Sequence, residues 1–389
     1  MRIAFASNYL NHHQLPFCQA LLERTEGNFT FIATTPFNEA RLAIGYEDMN
    51  QAPFVVRAYE GEEAKERALA LCRDADILII GGGAPDCYAE ERIRAGRITF
   101  QYYERILRRG PLHIYTPRAL RYYFKNHTRH RRAPVYLLCA SAYTAADFHK
   151  YLAYPKKTLR WGYFPHVRRY EDPDALLRAK APASLLFCGR FIDWKHPEIP
   201  LLLAKRLKEE GIPFSLTYVG DGEMRGELET SAREWGLDGC VRFVGGVPAS
   251  AVRAYMEESS IFLFTSDFQE GWGAVLNEAM SAGCAAVASH AIGAAPFLIR
   301  HGENGLLYEN GCAEDLYSKV RYLLTHPDEA AALGRQAIYT MSEEWNAAHA
   351  ADALLAFAES REPARSGPCS RAPIYKNRWF KEKDRKYRK

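Results

Sequence analysis

Residues 261–288, with the sequence IFLFTSDFQEGWGAVLNEAMSAGCAAVA, contain a strand pattern, a helix pattern and a second strand pattern in order. The apolar runs at 261–264 and 285–288 have the length and composition of buried strands. If Gly273 opens the intervening helix, small and apolar side chains fall on one packing face at spacings of three and four residues. The residues on this face are Leu276, Ala279, Met280 and Gly283. The stretch therefore predicts a βαβ unit with two parallel strands.

The same alternation continues on both sides of this unit. In the C-terminal half, strands are predicted at 185–188, 215–219 and 241–244, and helices at 313–326, 327–341 and 347–358. In the N-terminal half, strands are predicted at 3–6, 29–34, 77–80, 112–115 and 135–140, and a helix at 15–24. The fold class expected from this pattern is α/β, with two doubly wound, Rossmann-like sheets.

A chain of 389 residues exceeds the size at which one hydrophobic core stops growing, so we expect two domains that face each other across a cleft. Residues 168–183 are charged, contain two prolines and lack a strand pattern, which is typical of a linker. We therefore predict an N-terminal domain over 1–167, a linker over 168–183 and a C-terminal domain over 184–345. A C-terminal helix over 346–360 and a basic tail over 361–389 complete the predicted organisation.

The composition excludes several classes of protein. With 48% hydrophobic and 25% charged residues, the chain has the composition of a globular protein, not of a disordered or fibrous one. Its nine cysteines include no CxxC pair, which favours reduced thiols over a disulfide or zinc framework. No run of about 18 apolar residues is present, and the apolar run at the start is too short for a signal peptide. We expect a cytoplasmic protein.

The net charge of +4 hides a strong asymmetry along the chain. Residues 361–389 contain eleven Lys and Arg against three Asp and Glu, a net charge of +8, so the rest of the chain carries −4. A second group of cations lies in the N-terminal half and consists of Arg118, Arg121, Lys125, Arg129, Arg131 and Arg132. Two kinds of partner fit such clusters, an anionic membrane surface and a nucleic acid. A solvated tail without a partner would explain residues 361–389 equally.

Three of the predicted strands end in residues that suit a phosphate-bearing ligand. In doubly wound folds, ligands bind outside the carboxyl ends of the strands. Arg190 and Lys195 follow the strand at 185–188, and two cations at this spacing suit a diphosphate, although an ordinary exposed loop fits them as well. Gly220 and Gly222 follow the next strand, where glycines permit close approach of a ligand backbone or simply form a turn.

The third strand end carries two carboxylates, Glu270 and Glu278. At 100° per residue, Glu278 lies about 80° round a helix from Glu270, so both side chains are expected to point toward one cleft. Carboxylates accept hydrogen bonds from sugar hydroxyls, and the helix N-terminus between them offers N–H groups to an anion.

At this motif the sequence resembles the retaining GT-B glycosyltransferases of family 4, also called glycosyl transferases group 1. Those enzymes have two glutamates separated by seven residues before a helix rich in small residues, as Glu270 and Glu278 are here. The resemblance extends over about 185–360 and rests on five motifs in order: GRFIDWKH, YVGDGE, VRFVGGVP, EGWGAVLNEAMSAG and HGENGLLY. It implies the GT-B fold, with an acceptor-binding N-terminal domain and a nucleotide-sugar-binding C-terminal domain.

The resemblance also implies roles for individual residues. Arg190 and Lys195 would bind the donor diphosphate, Glu278 the ribose hydroxyls, and Glu270 the hydroxyls of the transferred sugar. The predicted catalytic residues are therefore Arg190, Lys195 and Glu270. The predicted donor-binding residues are Gly189, Gly220, Asp221, Gly222, Val244, Gly245, Gly271, Trp272, Gly273, Ala274, Val275 and Glu278.

The acceptor side is predicted from the N-terminal half. Relatives often place a histidine after an N-domain strand, but the comparable segment here, HIYTPR at 113–118, offers Arg118. His12 and His13, which follow the first strand, are the alternative, and plain surface histidines would explain them equally. No metal and no cofactor is expected, because two cations and a helix N-terminus neutralise the diphosphate. The DxD patterns at 74–76 and 172–174 are therefore discounted as metal sites.

The function predicted from the sequence is transfer of a hexose-like sugar from a nucleoside diphosphate sugar to a hydroxyl acceptor, with retention of anomeric configuration. The expected acceptor is a glycan or a lipid-linked glycan, in a setting such as polysaccharide biosynthesis. An epimerase or hydrolase of nucleotide sugars with the same fold is the alternative enzyme, and a basic nucleic-acid-binding protein is the alternative of another class. If the protein is a glycosyltransferase, no nucleic-acid partner is expected. The basic tail would then bring the protein to the inner face of the membrane.

Overall fold

The computed structural model describes residues 1–42, 47–108, 110 and 116–375, without the side chains of residues 40 and 41. Within these residues the chain forms two compact units, one of Met1–His166 with Trp345–Tyr375, the other of Val167–Glu344. Each contains one parallel sheet flanked by helices. The predicted strand at 112–115 and the tail from residue 376 onward lie outside the described residues.

The first unit contains a seven-stranded parallel sheet. Its strands are β1 (Ile3–Ser7), β2 (Phe29–Ala33), β3 (Val55–Arg57), β4 (Ile77–Ile80), β5 (Thr99–Tyr103), β6 (Val135–Cys139) and β7 (Thr158–Arg160). They lie in the order β3-β2-β1-β4-β5-β6-β7, so the direction of winding reverses between β1 and β4. Every residue of β1 and β4 is buried, as expected for central strands covered by helices on both faces.

Among the described residues, six α-helices of this unit precede the second unit in the chain. They are α1 (Leu15–Arg24), α2 (Glu39–Leu42), α3 (Glu62–Asp74), α4 (Cys87–Arg94), α5 (Pro117–Asn126) and α6 (Thr144–His149). Helix α1 buries Phe17, Cys18 and Leu21 on one face, while its proline occupies the first turn, where no intrahelical N–H bond is lost.

The second unit repeats the same topology with six parallel strands. These are β8 (Ser184–Cys188), β9 (Ser215–Val219), β10 (Val241–Gly245), β11 (Ile261–Phe264), β12 (Ala285–Ser289) and β13 (Leu306–Tyr308). Their order is β10-β9-β8-β11-β12-β13, so winding reverses between β8 and β11. The helices are α7 (Pro173–Ala179), α8 (Glu198–Glu209), α9 (Arg225–Glu234), α10 (Ala249–Glu258), α11 (Val275–Ser281), α12 (Ala295–Leu298), α13 (Ala313–Thr325) and α14 (Pro327–Tyr339). The predicted pair of doubly wound parallel sheets is confirmed.

The chain returns to the first unit through helix α15 (Ala347–Ser360). Phe357 packs against Tyr136 and Phe100, with ring centroids 4.8 and 5.9 Å apart. An ion pair between Arg24 and Asp352 joins α15 to α1. The part of the predicted basic tail before residue 376 also belongs to this unit, because Arg371 forms a bridge with Leu159 of β7.

The predicted linker at 168–183 differs from an extended connection. It contains helix α7, whose N-terminus is capped by Asp172 through a 2.9 Å bond from the Ala175 N–H. After α7, the Lys180 ammonium donates to the carbonyls of Met256 and Ser259, both at 2.8 Å. These contacts attach the segment to the second unit.

Two further sequence expectations concern the whole described chain. All nine cysteines are free thiols, as predicted from their spacing. No helix among the described residues is both long and apolar enough to cross a lipid bilayer.

Candidate functional site

The candidate site lies at the reversal point of the second sheet, outside the carboxyl ends of β8 and β11. Ligands of open α/β sheets bind at such points because the loops after the two central strands diverge there. The loop after β8 contains Arg190, Trp194 and Lys195, and the loop after β11 contains Glu270. Neighbouring strands β9 and β10 end beside them in the glycine turns that begin at Gly220 and Gly245.

Lys195 and Glu270 form an ion pair that joins these two loops. Their side chains are only 13% and 10% exposed, so the pair is shielded from most of the solvent. The Ser266 hydroxyl also donates to the Glu270 carboxylate, at 3.0 Å. The structure therefore brings two predicted catalytic residues together and adds Ser266, which the sequence motifs did not indicate.

Backbone contacts hold the two loops in register around this ion pair. The Thr265 hydroxyl donates to the Lys195 carbonyl at 2.9 Å, and the Asp267 N–H donates to the Trp194 carbonyl at 3.1 Å. His196 lies in the left-handed region with φ 50°, and its imidazole contacts Glu198 at 2.8 Å. The pKa of His196 is raised, chiefly by that hydrogen bond.

Arg190 and Lys195 approach the same aromatic ring. The Arg190 guanidinium carbon lies 5.8 Å from the Trp194 ring centroid, and the Lys195 ammonium lies 4.7 Å from it. Arg190 is exposed and forms no ion pair with any residue that the structure describes. Trp194 thus lies beside both residues that are predicted to bind phosphate. Its position between Arg190 and Lys195 in the sequence could have indicated that it belongs to the site.

The glycines after β9 are required by packing within the protein. Gly220 has φ +138°, and a Cβ there would lie 1.9 Å from the Gly189 carbonyl oxygen. A Cβ at Gly222 would lie 2.4 Å from the Phe191 carbonyl oxygen. The same loops are joined by a 2.9 Å bond from the Phe191 N–H to the Asp221 carbonyl. These glycines therefore let the β9 turn press against the loop that carries Arg190.

The second glycine turn, which begins at Gly245, continues this contact toward β10. The Gly220 N–H donates to the Gly245 carbonyl at 2.9 Å, and Val244 precedes that residue as part of β10. Gly245 lies beside Arg225, whose guanidinium binds Asp221 at 2.9 Å. The side chain of Asp221 is therefore engaged within its own turn.

Helix α11 begins at Val275, not at Gly273 as expected, because Gly273 has φ +89°, which is not a helical conformation. The residue must be glycine, since an added Cβ would lie 2.6 Å from the Phe264 ring. Glu270 therefore precedes the helix, and the 80° relation between Glu270 and Glu278 is wrong. Glu270 reaches Lys195 from a loop instead. The N–H groups of Gly273, Ala274 and Val275 still stand at the start of the helix, where intrahelical acceptors are lacking.

Glu278 lies one turn into α11 and beside the end of β8. Burial raises the pKa of its carboxyl to about 7, against a smaller opposing effect of the Arg253 charge. The Glu278 charge in turn contributes to the pKa of Cys188, at the end of β8, although burial is the larger cause there. Glu278 is thus a half-buried carboxyl whose pKa lies well above its ordinary value.

Trp272 occupies the core and not the site surface. Its side chain is 1% exposed, and the indole N–H donates to Asn277 at 2.9 Å. Its carbonyl accepts from the Ala294 N–H at 3.0 Å, while the Glu270 carbonyl accepts from Gly293 at 3.3 Å. Trp272, with Gly271 beside it, therefore anchors the loop that holds Glu270 in place.

The residues predicted for the acceptor side occupy separate places in the first unit. The His12 and His13 rings lie 3.7 Å apart, and His13 stacks on Tyr163 at 5.6 Å. The neighbouring Asn11 and Gln14 line a cavity of about 600 Å³. Arg118 lines a different cavity, of about 730 Å³. The histidines and Arg118 are therefore alternatives and do not form one cluster.

Neither DxD pattern lies at the carboxyl end of a strand. The Asp76 carboxylate accepts from the Arg2 N–H at 2.7 Å, beside the start of β1. Asp172 caps α7, and Asp174 forms an ion pair with Arg335 at 2.6 Å. These aspartates have structural contacts away from the candidate site.

The region around this site matches a family model. Residues 169–339 match the family described as Glycosyl transferases group 1. This group 1 segment contains all the predicted catalytic and donor-binding residues, from Gly189 to Glu278. The matched range includes all five motifs on which the resemblance rests, and it supports a glycosyltransferase.

Curated relatives match part of the chain. The amylovoran biosynthesis glycosyltransferase AmsK of Erwinia amylovora is 31% identical over 162 residues, which are 40% of this chain and 39% of AmsK. The putative glycosyltransferase EpsF of Bacillus subtilis is 36% identical over 104 residues, which are 27% of this chain and 26% of EpsF. The matches span between about a quarter and two fifths of these relatives' own length.

The structure is similar along nearly the whole chain to that of HepE from Anabaena, which was crystallised in complex with UDP. The TM-score is 0.67 at 16% sequence identity, over 93% of this chain and 100% of HepE. At this identity the likeness establishes the fold, and the predicted GT-B architecture of two Rossmann-like domains is confirmed. Fold and group 1 segment together support a GT-B glycosyltransferase.

Proposed function

We propose that the protein transfers a sugar from a nucleoside diphosphate sugar to a hydroxyl acceptor, with retention of anomeric configuration. The observation that carries the proposal is the Lys195–Glu270 ion pair, with Arg190 nearby, at the reversal point of a sheet within the group 1 segment. Two cations that can bind phosphate and a carboxylate that can accept hydrogen bonds from sugar hydroxyls thus lie in the same site. The similarity to HepE, a protein crystallised with UDP, supports a nucleotide ligand.

In this proposal, Arg190 and Lys195 bind the donor diphosphate. Arg190 is exposed and has no carboxylate partner among the described residues, so its charge is available to a ligand. Lys195 would share its ammonium between the diphosphate and Glu270, since an ammonium has three donors. Glu270 would then accept hydrogen bonds from hydroxyls of the transferred sugar, and Glu278 would accept those of the ribose.

The reaction breaks the bond between the anomeric carbon and the diphosphate oxygen. The acceptor hydroxyl attacks that carbon from the face that the nucleotide leaves, and its proton passes to a departing phosphate oxygen. Negative charge grows on the diphosphate during this step, and fixed cations stabilise such charge because they need no reorganisation. The step requires neither a protein base nor a metal ion, which agrees with the proposed roles of the two cations.

The acceptor is proposed to be a glycan or a lipid-linked glycan bound by the first unit. His12 and His13 on one side, and Arg118 on the other, remain the predicted acceptor-side residues. The cavity beside Asn11 and Gln14 adjoins the carboxyl ends of β1 and β4, the reversal point of the first sheet. That position favours the histidine side over Arg118.

The test is release of nucleoside diphosphate from a panel of nucleotide sugars, with and without hydroxyl acceptors and with a chelator of divalent ions. We expect one donor class to be consumed, release to depend on an acceptor, and activity to survive chelation. Equal release without acceptor would indicate a hydrolase. Complete inhibition by the chelator, reversed by added metal, would refute the proposed metal independence, and no turnover of any donor would contradict the transferase.

A further inference from the structure

Helix α5 buries none of its residues, although it carries large apolar side chains. Leu120 is 47% exposed and Phe124 is 61% exposed, and they lie one turn apart on the same face. Leu152, in the turn after α6, is 63% exposed. All three line one shallow depression of about 940 Å³. Contiguous exposed apolar groups of this kind mark interaction surfaces more often than isolated ones do.

The depression is built on a firm aromatic base. Tyr123 of α5 stacks on Tyr151 with ring centroids 4.2 Å apart. The Thr128 hydroxyl donates to the Tyr151 carbonyl at 2.7 Å, and His127 contacts the Tyr154 hydroxyl at 2.6 Å. Leu152 itself has φ 56°, a conformation that bulky residues rarely adopt. The apolar side chains are therefore presented outward by a packed framework.

Cations surround these apolar side chains and acidic residues are missing from the same stretch. Residues 117–132 contain six Lys and Arg and no Asp or Glu. All six are exposed, and only Arg129 forms an ion pair with a described residue, Glu90 at 3.5 Å. Lys150 adds a further exposed cation beside Leu152. The cations around the three apolar side chains would complement a partner whose surface is anionic and whose interior is apolar.

We propose that this surface docks the first unit onto an anionic lipid bilayer. We call it the α5 surface, formed by Leu120, Phe124, Leu152, Arg121, Arg131, Arg132 and Lys150. The three apolar side chains would enter the interface while the cations bind lipid phosphates. A nucleic acid fits less well, because leucine side chains cannot stack on bases as aromatic rings do. The proposal is independent of the donor site and of the proposed reaction.

The first test is sedimentation of the full chain with vesicles of phosphatidylcholine alone or with added phosphatidylglycerol, at low and high salt. We expect salt-sensitive binding to the anionic vesicles only. Changing Arg121, Arg131 and Arg132 together to Gln should lower the partition coefficient roughly 100-fold, since each cation near an anionic leaflet contributes roughly fivefold. Changing Leu120, Phe124 and Leu152 to Ser should weaken binding that persists at high salt.

Matched variants separate this surface from the rest of the chain. Leu202 is another exposed leucine, at 49%, and Arg178 and Arg233 are exposed cations of the second unit. Leu202→Ser and the double change of Arg178 and Arg233 to Gln should leave vesicle binding unchanged. If deletion of 376–389 abolishes binding while the α5 variants bind normally, the tail is the membrane contact and the proposal is overturned. Binding to duplex or single-stranded nucleic acid in place of vesicles would also overturn it.

A second measurement uses the unaltered chain and so avoids any effect of substitutions on folding. Hydrogen exchange of peptides covering 117–132 and 148–154 should slow when anionic vesicles are added, and should not slow with neutral vesicles. Protection confined to other peptides, or the same protection with both kinds of vesicle, would contradict docking through the α5 surface.

Discussion

Lys195 is held from three sides. Its ammonium binds the Glu270 carboxylate, lies 4.7 Å from the Trp194 ring centroid and lies 5.5 Å from that of Phe264. A cation fixed in this way interacts with charge that develops in a reaction without first reorganising its surroundings. Arg190 supplies the same charge from an exposed side chain. The two residues thus differ in environment while sharing the proposed ligand.

Arg190→Ala and Lys195→Ala should each reduce kcat/KM on the order of 10²-fold or more. Loss of a charge contact made in the transition state costs about 2.7–4 kcal/mol at comparable sites. Thermal unfolding should change little for Arg190→Ala, because its side chain is exposed. For Lys195→Ala a moderate fall in stability is also expected, because the Glu270 carboxylate loses its partner. Arg233→Ala, an exposed cation of α9, is the control, and turnover like that of the unaltered protein in both site variants would remove the donor-site assignment.

Glu278 gives a prediction on pH. Because burial raises the pKa of its carboxyl to about 7, the folded state holds a proton that the unfolded state releases near pH 4.5. This group therefore stabilises the fold below about pH 4.5, and that contribution is lost as the pH rises to about 7. Compared with Glu278→Gln, the unaltered protein should lose unfolding free energy over this range, by at most about 1.4 kcal/mol per pH unit. Denaturant titrations from pH 4.5 to 8 measure it, and a constant difference between the two proteins would refute the raised pKa.

At the scale of elements, the β9 turn connects fold to site. Gly220→Ala would place a Cβ 1.9 Å from a backbone oxygen of the loop that carries Arg190, at φ +138°. We expect destabilisation of about 1–3 kcal/mol or more and weaker ligand binding, because that loop must move. Gly226→Ala in α9 has no atom within 4 Å of the new Cβ and should raise stability by up to about 1 kcal/mol. Unfolding titrations that rank the two variants equally would show that the close contact is absent.

Sequence patterns predicted the bounds of several elements, but they missed the 13-residue helix α3. The bounds of Leu15–Arg24, Ile77–Ile80 and Ser215–Val219 agree with the structure, because each combines a clear period with a definite start or end. Strand β5 was missed because Gln101 and Thr99 interrupt its apolar run, although both are buried in the sheet. Strands of three residues, such as β3, β7 and β13, are too short for a period to be recognised.

The sequence predicted the site residues that come directly after a strand better than those whose position depends on the bend of a loop. Arg190 and Lys195 stand out because they come directly after an apolar run. The position of Glu270 depends on the bend at Gly273, whose φ of +89° cannot be derived from residue spacing alone. Ser266 gave no signal, since one hydroxyl after a strand is common and its bond to Glu270 appears only in three dimensions.

At the scale of the whole molecule, long-range packing determines which unit a segment joins. Helix α15 follows the second unit in the chain but packs on β5 and β6 through Phe357. Local periodicity predicts such a helix without indicating its partner. The same limit applies to α7, whose residues are charged enough to suggest a linker and yet are held by contacts of the second unit.

Thermal unfolding of the full chain with UDP, other nucleoside diphosphates and the matching nucleosides tests most directly whether the group 1 segment binds a nucleotide through its diphosphate. A ligand that binds only the folded state at 100 times its Kd stabilises it by about 2.7 kcal/mol. We expect at least one nucleoside diphosphate to raise the Tm, its nucleoside to have little effect, and Arg190→Ala to reduce the shift. If no nucleoside diphosphate raises the Tm at millimolar concentration, or if the shift is the same in Arg190→Ala and Lys195→Ala, the donor site is not where we have placed it.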